Sequence, residues 1–266
     1  MPVWKWILLL ILALFLALLM YGFASMPSMF MKGWGAWVLA VAASAAMLAL
    51  YRVFAHWFEG AYPQDLPLKK LVPHLALGMG IGIVSIGLVA GVMMALGLYT
   101  VDSVNKVWKD LIDPFLMFLV VAVGEEVAFR GVLFRWIDER FGFWWALIAS
   151  ALIFGLIHIT NDNATLWSSV AIAIEAGLLL GIAYKWSGNL WVPIGFHWTW
   201  NFVQGNIFGF AVSGNDSGAS LIQATIEGPQ WLTGGPFGAE ASVISMVVCL
   251  GFTALLLRSY LQRTAR

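Results

Sequence analysis

Eight runs of about 20 mostly apolar residues, set apart by short polar connections, constrain this 266-residue chain more than any other feature. A helix needs about 20 apolar residues to cross the hydrocarbon core of a bilayer. Within lipid only helices and closed barrels satisfy their own backbone polar groups. The runs lie near 4–23, 34–54, 71–98, 107–129, 143–160, 167–185, 190–210 and 242–260. Charged residues make up 11% of the chain, where a soluble domain carries roughly a quarter. The pattern predicts an all-α, polytopic membrane protein with about eight transmembrane helices.

The first run, "WKWILLLILALFLALLMYGFA", sets Lys5 ahead of an apolar core, as a signal peptide does. It is longer than a typical signal-peptide core and no small-x-small cleavage site comes after it, so it reads as a retained helix. Charge bias orients the bundle. With eight spans, one side receives Lys5, Arg52, Lys69, Lys70, Arg130, Arg135, Arg140, Lys185, Arg258, Arg263 and Arg266, eleven of the fourteen basic residues. The other side receives Lys32, Lys106 and Lys109. Basic residues concentrate on the cytoplasmic side, so both termini are expected in the cytoplasm of a multi-pass cell-membrane protein. Formal net charge is zero, and nucleic acid is not an expected partner. The single cysteine, Cys249, excludes disulfides and thiolate zinc sites.

Tryptophans near the span ends (Trp34, Trp37, Trp144, Trp145, Trp186, Trp191) suit interfacial belts. Three small-residue pairs, Gly78 with Gly82, Gly87 with Gly91, and Gly177 with Gly181, predict close helix contacts. The polar connection Ser213–Ala241 lacks Lys and Arg and reads as a connector rather than a lid. No internal repeat supports an inverted-repeat transporter.

An ionisable group inside a span costs a few kcal/mol and is by default a functional-site hypothesis. The set is short: Glu125, Glu126 and Arg130 in span four, His158 in span five, Glu175 in span six, His197 and Asn201 in span seven. Glu126 and Arg130 are spaced i, i+4 and can pair, whether for structure or for function. Glu125 points about 100° away around the helix, is not easily neutralised by Arg130, and suits proton transfer. A lone His158 in an apolar helix is more often a satisfied core residue. His197 and Asn201, sharing one face, are harder to dismiss. Glu125 lies about 15 residues before the hairpin near Asp138–Phe141 and His158 about 18 after it, a depth difference of ~5 Å. The helices can therefore bring one carboxylate, two imidazoles and a carboxamide to one cavity, expected to open toward the cytoplasm and the lipid. Glu175, with no partner in its own helix, stays outside this set.

Glu with His can hold and deprotonate a water, and a second His with Asn can donate to a developing oxyanion. The same Glu and two His could instead hold a divalent metal such as zinc, and the residues leave both versions open. There is no H-E-x-x-H, no G-x-S-x-G in a span and no intramembrane aspartate pair.

The segments "EEVAFR", "FGLIH" and "HWTWN" match E-E-x-x-x-R, F-x-x-x-H and H-x-x-x-N in order, one per helix. The chain thereby resembles the CPBP family of CAAX proteases and bacteriocin-processing enzymes, also called Abi. "LTGGPFGAE" further on resembles its bacterial members. The resemblance covers roughly residues 105–260. It implies residues 105–266 as the catalytic membrane core, with 1–104 supplying N-terminal helices and loops. It further implies an intramembrane endopeptidase in which Glu125 is the general base, assisted by His158. His197 and Asn201 form the oxyanion site, and Glu126 and Arg130 support the cavity. The implied substrate is a hydrophobic, lipidated (CAAX-like) or membrane-anchored peptide, with membrane lipids as surroundings. The rival class is a non-proteolytic membrane partner, immunity or regulatory, in which the polar groups serve packing. A transporter using Glu125 and Glu175 as a proton relay comes third, since it leaves His197 and Asn201 without a role.

Overall fold

The computed structural model describes residues 3–30, 32–60 and 62–265, so Arg266 of the basic count lies outside the described residues. The architecture is all-α. Helices α1 (Val3–Phe30), α2 (Trp34–Glu59) and α3 (Leu71–Ala95) lead into a strand, β1 (Tyr99–Val104). Helix α4 (Ile112–Glu126) widens into a π-helical stretch, Val127–Phe134, and continues as α5 (Arg135–Phe141). Gly142 then turns the chain within one residue, at φ +89°, into α6 (Phe143–Ile157). The left-handed conformation this corner needs is one that glycine adopts without steric cost. Helix α7 (Leu166–Ile172) runs through a second π stretch, Ala173–Leu178, into α8 (Leu179–Ser187). Helix α9 (Trp191–Phe202) ends in a third, Val203–Ile207, and β2 (Ile222–Ile226), α10 (Gln230–Thr233) and α11 (Val243–Thr264) come after it.

Among the described residues, six helices are long and apolar enough to cross a membrane: Trp4–Gly22, Trp34–Trp57, Leu68–Ala95, Phe143–Thr160, Leu166–Ser187 and Val243–Thr264. Six of the expected eight spans meet this measure of length and apolarity. The two outside that set, 107–129 and 190–210, are also helical for most of their length but are the richest in polar groups. Residues 108–111 are a turn rather than helix, and the rod beyond them carries Glu125, Glu126 and Arg130. Helix α9 buries every residue from Trp191 to Asn201, and protein rather than lipid surrounds it. The outer rods carry the apolar surface instead, with Leu8, Phe15, Val38, Leu152, Val247 and Leu255 all exposed. Such a surface is stable only in contact with lipid.

Glycines decide how closely α9 is gripped. A Cβ on Gly78 would lie 2.1 Å from the Val192 carbonyl oxygen, and one on Gly195 would lie 2.3 Å from that of Leu75. Gly82, Gly177 and Gly181 also face neighbouring helices at short range. Gly87 and Gly91 do not, contrary to the expectation from their spacing: nothing lies within 4 Å of either Cβ position, because that face of α3 is turned outward. Gly78→Ala is therefore expected to cost about 1–3 kcal/mol through overpacking. Gly91→Ala should cost nothing, and thermal unfolding in detergent separates the two.

Trp34, Trp144 and Trp145 are exposed at helix ends. Trp191 departs from the expected belt: it is buried, and its indole donates to the Pro67 carbonyl at 3.1 Å. The 213–241 segment is more than a connector. Strand β2 pairs antiparallel with β1, which no apolar run announced, and the chain then folds back so that Glu240 is buried.

Candidate active site

Each element that carries a candidate residue departs locally from regular α-helix. Glu125 and Glu126 sit on the last turn of α4, directly before the π stretch Val127–Phe134. Glu175 lies within the π stretch 173–178, and Asn201 lies two residues before the one at 203–207. A π turn inserts an extra residue and rotates the remainder of the helix, and it recurs at functional sites.

Glu126 and Arg130 form the i, i+4 pair, at 2.9 Å, with both side chains fully buried. The same Glu126 oxygen, Oε1, accepts a hydrogen bond from His197 Nδ1 at 2.9 Å. Arg130 also donates to the carbonyls of Ala176 and Gly177 at 3.3 and 3.4 Å, and its guanidinium lies 4.6 Å from the centre of the Phe154 ring. Glu126 thus ties α4 to α9, and through Arg130 to the π stretch after α7. It fixes the His197 ring, with Nδ1–H held and Nε2 turned toward Glu125 Oε2, 4.0 Å away.

Glu125 is the least enclosed of the three charged groups on this rod. Its side chain keeps 14% of its surface, and its Oε2 has no hydrogen-bond partner among the described residues. His158 closes the facing wall. Its Nδ1 donates to the Phe154 carbonyl at 2.7 Å, because a carbonyl can only accept, and in the neutral ring Nε2 then carries the lone pair. The Phe154 and His158 rings are 4.8 Å apart, so the phenylalanine of the F-x-x-x-H segment supports both the histidine and Arg130.

Glu125, His158, His197 and Asn201 all line one cavity of about 550 Å³, with Met117, Phe118, Val121 and Ile157 as its apolar wall. Glu126 and Arg130 lie behind it and do not line it. Where its polar lining is exposed, at the mouth, it consists of Thr160, Asn215 and Asp216. Thr160 lies just past the end of α6 and Asn215 and Asp216 in the connection after α9, far from the α5–α6 corner. The expected opening is toward the cytoplasm and the lipid; these exposed lining residues lie at the end poorer in basic residues. The rise per residue explains why: Glu125 lies 17 residues before Gly142 and His158 16 after it. At 1.5 Å per residue both stand about 24 Å from that corner.

Two carboxylates absent from the core set on sequence grounds lie against it. Glu175 accepts from the Cys249 thiol at 3.6 Å. Glu240 accepts from the Ser213 backbone N–H and from Gln204 Nε2. Both line, with His158, His197 and Asn201, an enclosed space of about 20 Å³, room for about one water. Glu175 is visible in the sequence as an unpaired intramembrane acid. Glu240 is not, since an acid in a polar connection reads as solvated; its only signal is its place directly before the last apolar run.

Burial raises the Glu240 pKa from 4.5 to about 7, against the lowering effect of the Ser213 and Gln204 hydrogen bonds. The folded protein then keeps a proton that the unfolded chain releases between those values. Stability should fall as pH rises from 4.5 to about 7 and level off above. Glu240→Gln should flatten that part of the curve, as followed by thermal unfolding in detergent.

The donor set does not suit the metal alternative. Among the described residues no group of three His, Cys, Asp or Glu side chains has metal-binding geometry. His197 Nε2 is 4.0 Å from Glu125 Oε2, and His158 completes no cluster with them. The residues present do not converge as a His₂Glu zinc site requires.

Residues 107–203 match the family described as "Type II CAAX prenyl endopeptidase Rce1-like". Over 103 residues the chain is 35% identical to "Uncharacterized protein YpbD" of Bacillus subtilis (strain 168), covering 38% of this chain and 49% of that one. Over 93 residues it is 28% identical to "Putative membrane peptidase YdiL" of the same organism, covering 33% of this chain and 36% of that one. The chain thus spans half or less of the length of these curated relatives. No solved structure matches.

Proposed function

We propose that this chain, Rce1-like over residues 107–203, is an intramembrane endopeptidase that hydrolyses a peptide bond with a water activated by Glu125. The observation that carries the reading is the single cavity shared by Glu125, His158, His197 and Asn201. Glu125 Oε2, unpartnered, takes a proton from water while His158 Nε2 accepts the second hydrogen bond and orients it. The water oxygen bonds to the carbonyl carbon, and the oxyanion that forms receives hydrogen bonds from Asn201 and His197. With Nδ1–H held by Glu126, His197 donates through Nε2 only as the imidazolium. When the C–N bond breaks, Glu125 returns its proton to the amine. Glu126 and Arg130 act through His197, holding its ring at the cavity wall.

The cavity pairs an apolar wall with a polar floor, which suits a hydrophobic, lipidated or membrane-anchored peptide. The charge bias supports a cell-membrane protein with both termini in the cytoplasm. Cleavage of a farnesylated CAAX peptide and of a plain hydrophobic peptide by detergent-purified protein tests the reading. His158→Ala should abolish cleavage of whichever peptide is taken without loss of folding, and a chelator should leave wild-type turnover unchanged. Full activity in His158→Ala would overturn the assignment. Loss of turnover on chelation, restored by zinc, would replace the metal-free version.

A further inference from the structure

We infer that this site, if it is the endopeptidase centre proposed above, takes its substrate from the non-cytoplasmic side of the membrane. The substrate is then a membrane-anchored peptide cut toward the outer side, rather than a C-terminus offered from the cytoplasm. Two observations, independent of each other, combine here: where the basic residues lie and where the cavity opens.

Contacts gather one set of helix ends. Trp6 at the start of α1 packs on Phe141 at the end of α5, with ring centres 5.4 Å apart. Lys185 at the end of α8 pairs with Asp138, and the ring of Tyr260 in the last turns of α11 lies 5.2 Å from that of Phe143. Arg263 lies over Trp186 at 4.9 Å. This face carries Lys5, Arg52, Lys69, Lys70, Arg135, Arg140, Lys185, Arg258 and Arg263, nine of the thirteen described basic residues. Arg130 is buried within the bundle, and only Lys32, Lys106 and Lys109 belong to the opposite face. By the bias that orients membrane proteins, the nine-residue face is cytoplasmic.

The cavity opens at the other end. Its mouth residues Thr160, Asn215 and Asp216 lie past the far ends of α6 and α9, and the whole 213–241 segment beside it lacks Lys and Arg. Glu125 and His158, about 24 Å from the charged α5–α6 corner, are then in the outer half of the bundle. A water activated there is supplied from outside. A peptide bond reaches it from a segment emerging on that side, with its apolar part along Met117, Val121 and Ile157.

Single cysteines read the geometry without any need for turnover. Asp216 at the mouth and Gln262 on the basic face are both exposed, and Cys249 is buried and serves as a silent background. In intact cells a membrane-impermeant maleimide should label Asp216→Cys at least tenfold more than Gln262→Cys, and permeabilisation should remove the difference. Ser217→Cys and Ala265→Cys form a second pair in case either variant fails to accumulate. Labelling of the Gln262 or Ala265 position in intact cells, alone or equally with the mouth, overturns the inference. A second arm adds an impermeant hydrophobic peptide outside spheroplasts, where wild type should cleave it and Glu125→Gln should not. Mouth labelling without cleavage by protein in either orientation would sink the endopeptidase reading while leaving the orientation standing. Cleavage confined to inverted vesicles would overturn the inference alone.

Discussion

Glu125→Gln should lower kcat by about 10²–10⁴-fold, the range expected when a positioned general base is lost. Gln keeps the shape and can still hydrogen-bond a water, but it cannot take its proton. The fold should tolerate the change. Among the described residues Glu125 has no ion pair shorter than the 4.0 Å approach of His197, and its Oε2 is unpartnered already. Thermal unfolding in detergent should therefore stay within about 1 kcal/mol of wild type, the ordinary effect of a substitution that breaks no buried network. Substrate binding should persist, so KM should change far less than kcat. A variant that retains turnover yet loses a membrane partner would favour the non-proteolytic reading.

Arg130→Met should show the opposite profile, a stability defect of about 3–5 kcal/mol, the cost of stranding one member of a buried ion pair. Arg130 is fully buried and is held by Glu126, two backbone carbonyls and the Phe154 face. Without it, the Glu126 carboxylate lies enclosed with His197 as its sole hydrogen-bonding partner among the described residues. The double variant Glu126→Gln with Arg130→Met should recover much of the stability, because no unpaired charge remains. Its kcat should stay depressed, since a carboxamide holds the His197 ring less firmly than a carboxylate does. Recovery of both together would mean that Glu126 serves packing alone.

Much of this was legible along the chain because lipid imposes a simple rule. A rod in contact with hydrocarbon must be apolar for about 20 residues, so the outer helices announced themselves. An ionisable residue in such a rod is conspicuous for the same reason, and so Glu125, Glu126, Arg130, His158 and Glu175 could be singled out by position alone. The i, i+4 spacing of Glu126 and Arg130 carried their pairing, since it depends only on helix geometry.

The rest depended on which surfaces meet. Spacing cannot distinguish Gly78, pressed against the Val192 carbonyl, from Gly91, which faces outward. The hydrogen bond from His197 to Glu126 joins residues 71 positions apart, and Glu240 becomes a buried acid only because the connection folds back over the end of α9. The direction of the cavity mouth likewise arises from where α1, α4, α6 and that connection leave a gap. Local chemistry and the solvent a segment must tolerate are written in the order of the residues; proximity and enclosure belong to packing, where distant segments exclude water and lipid from one another.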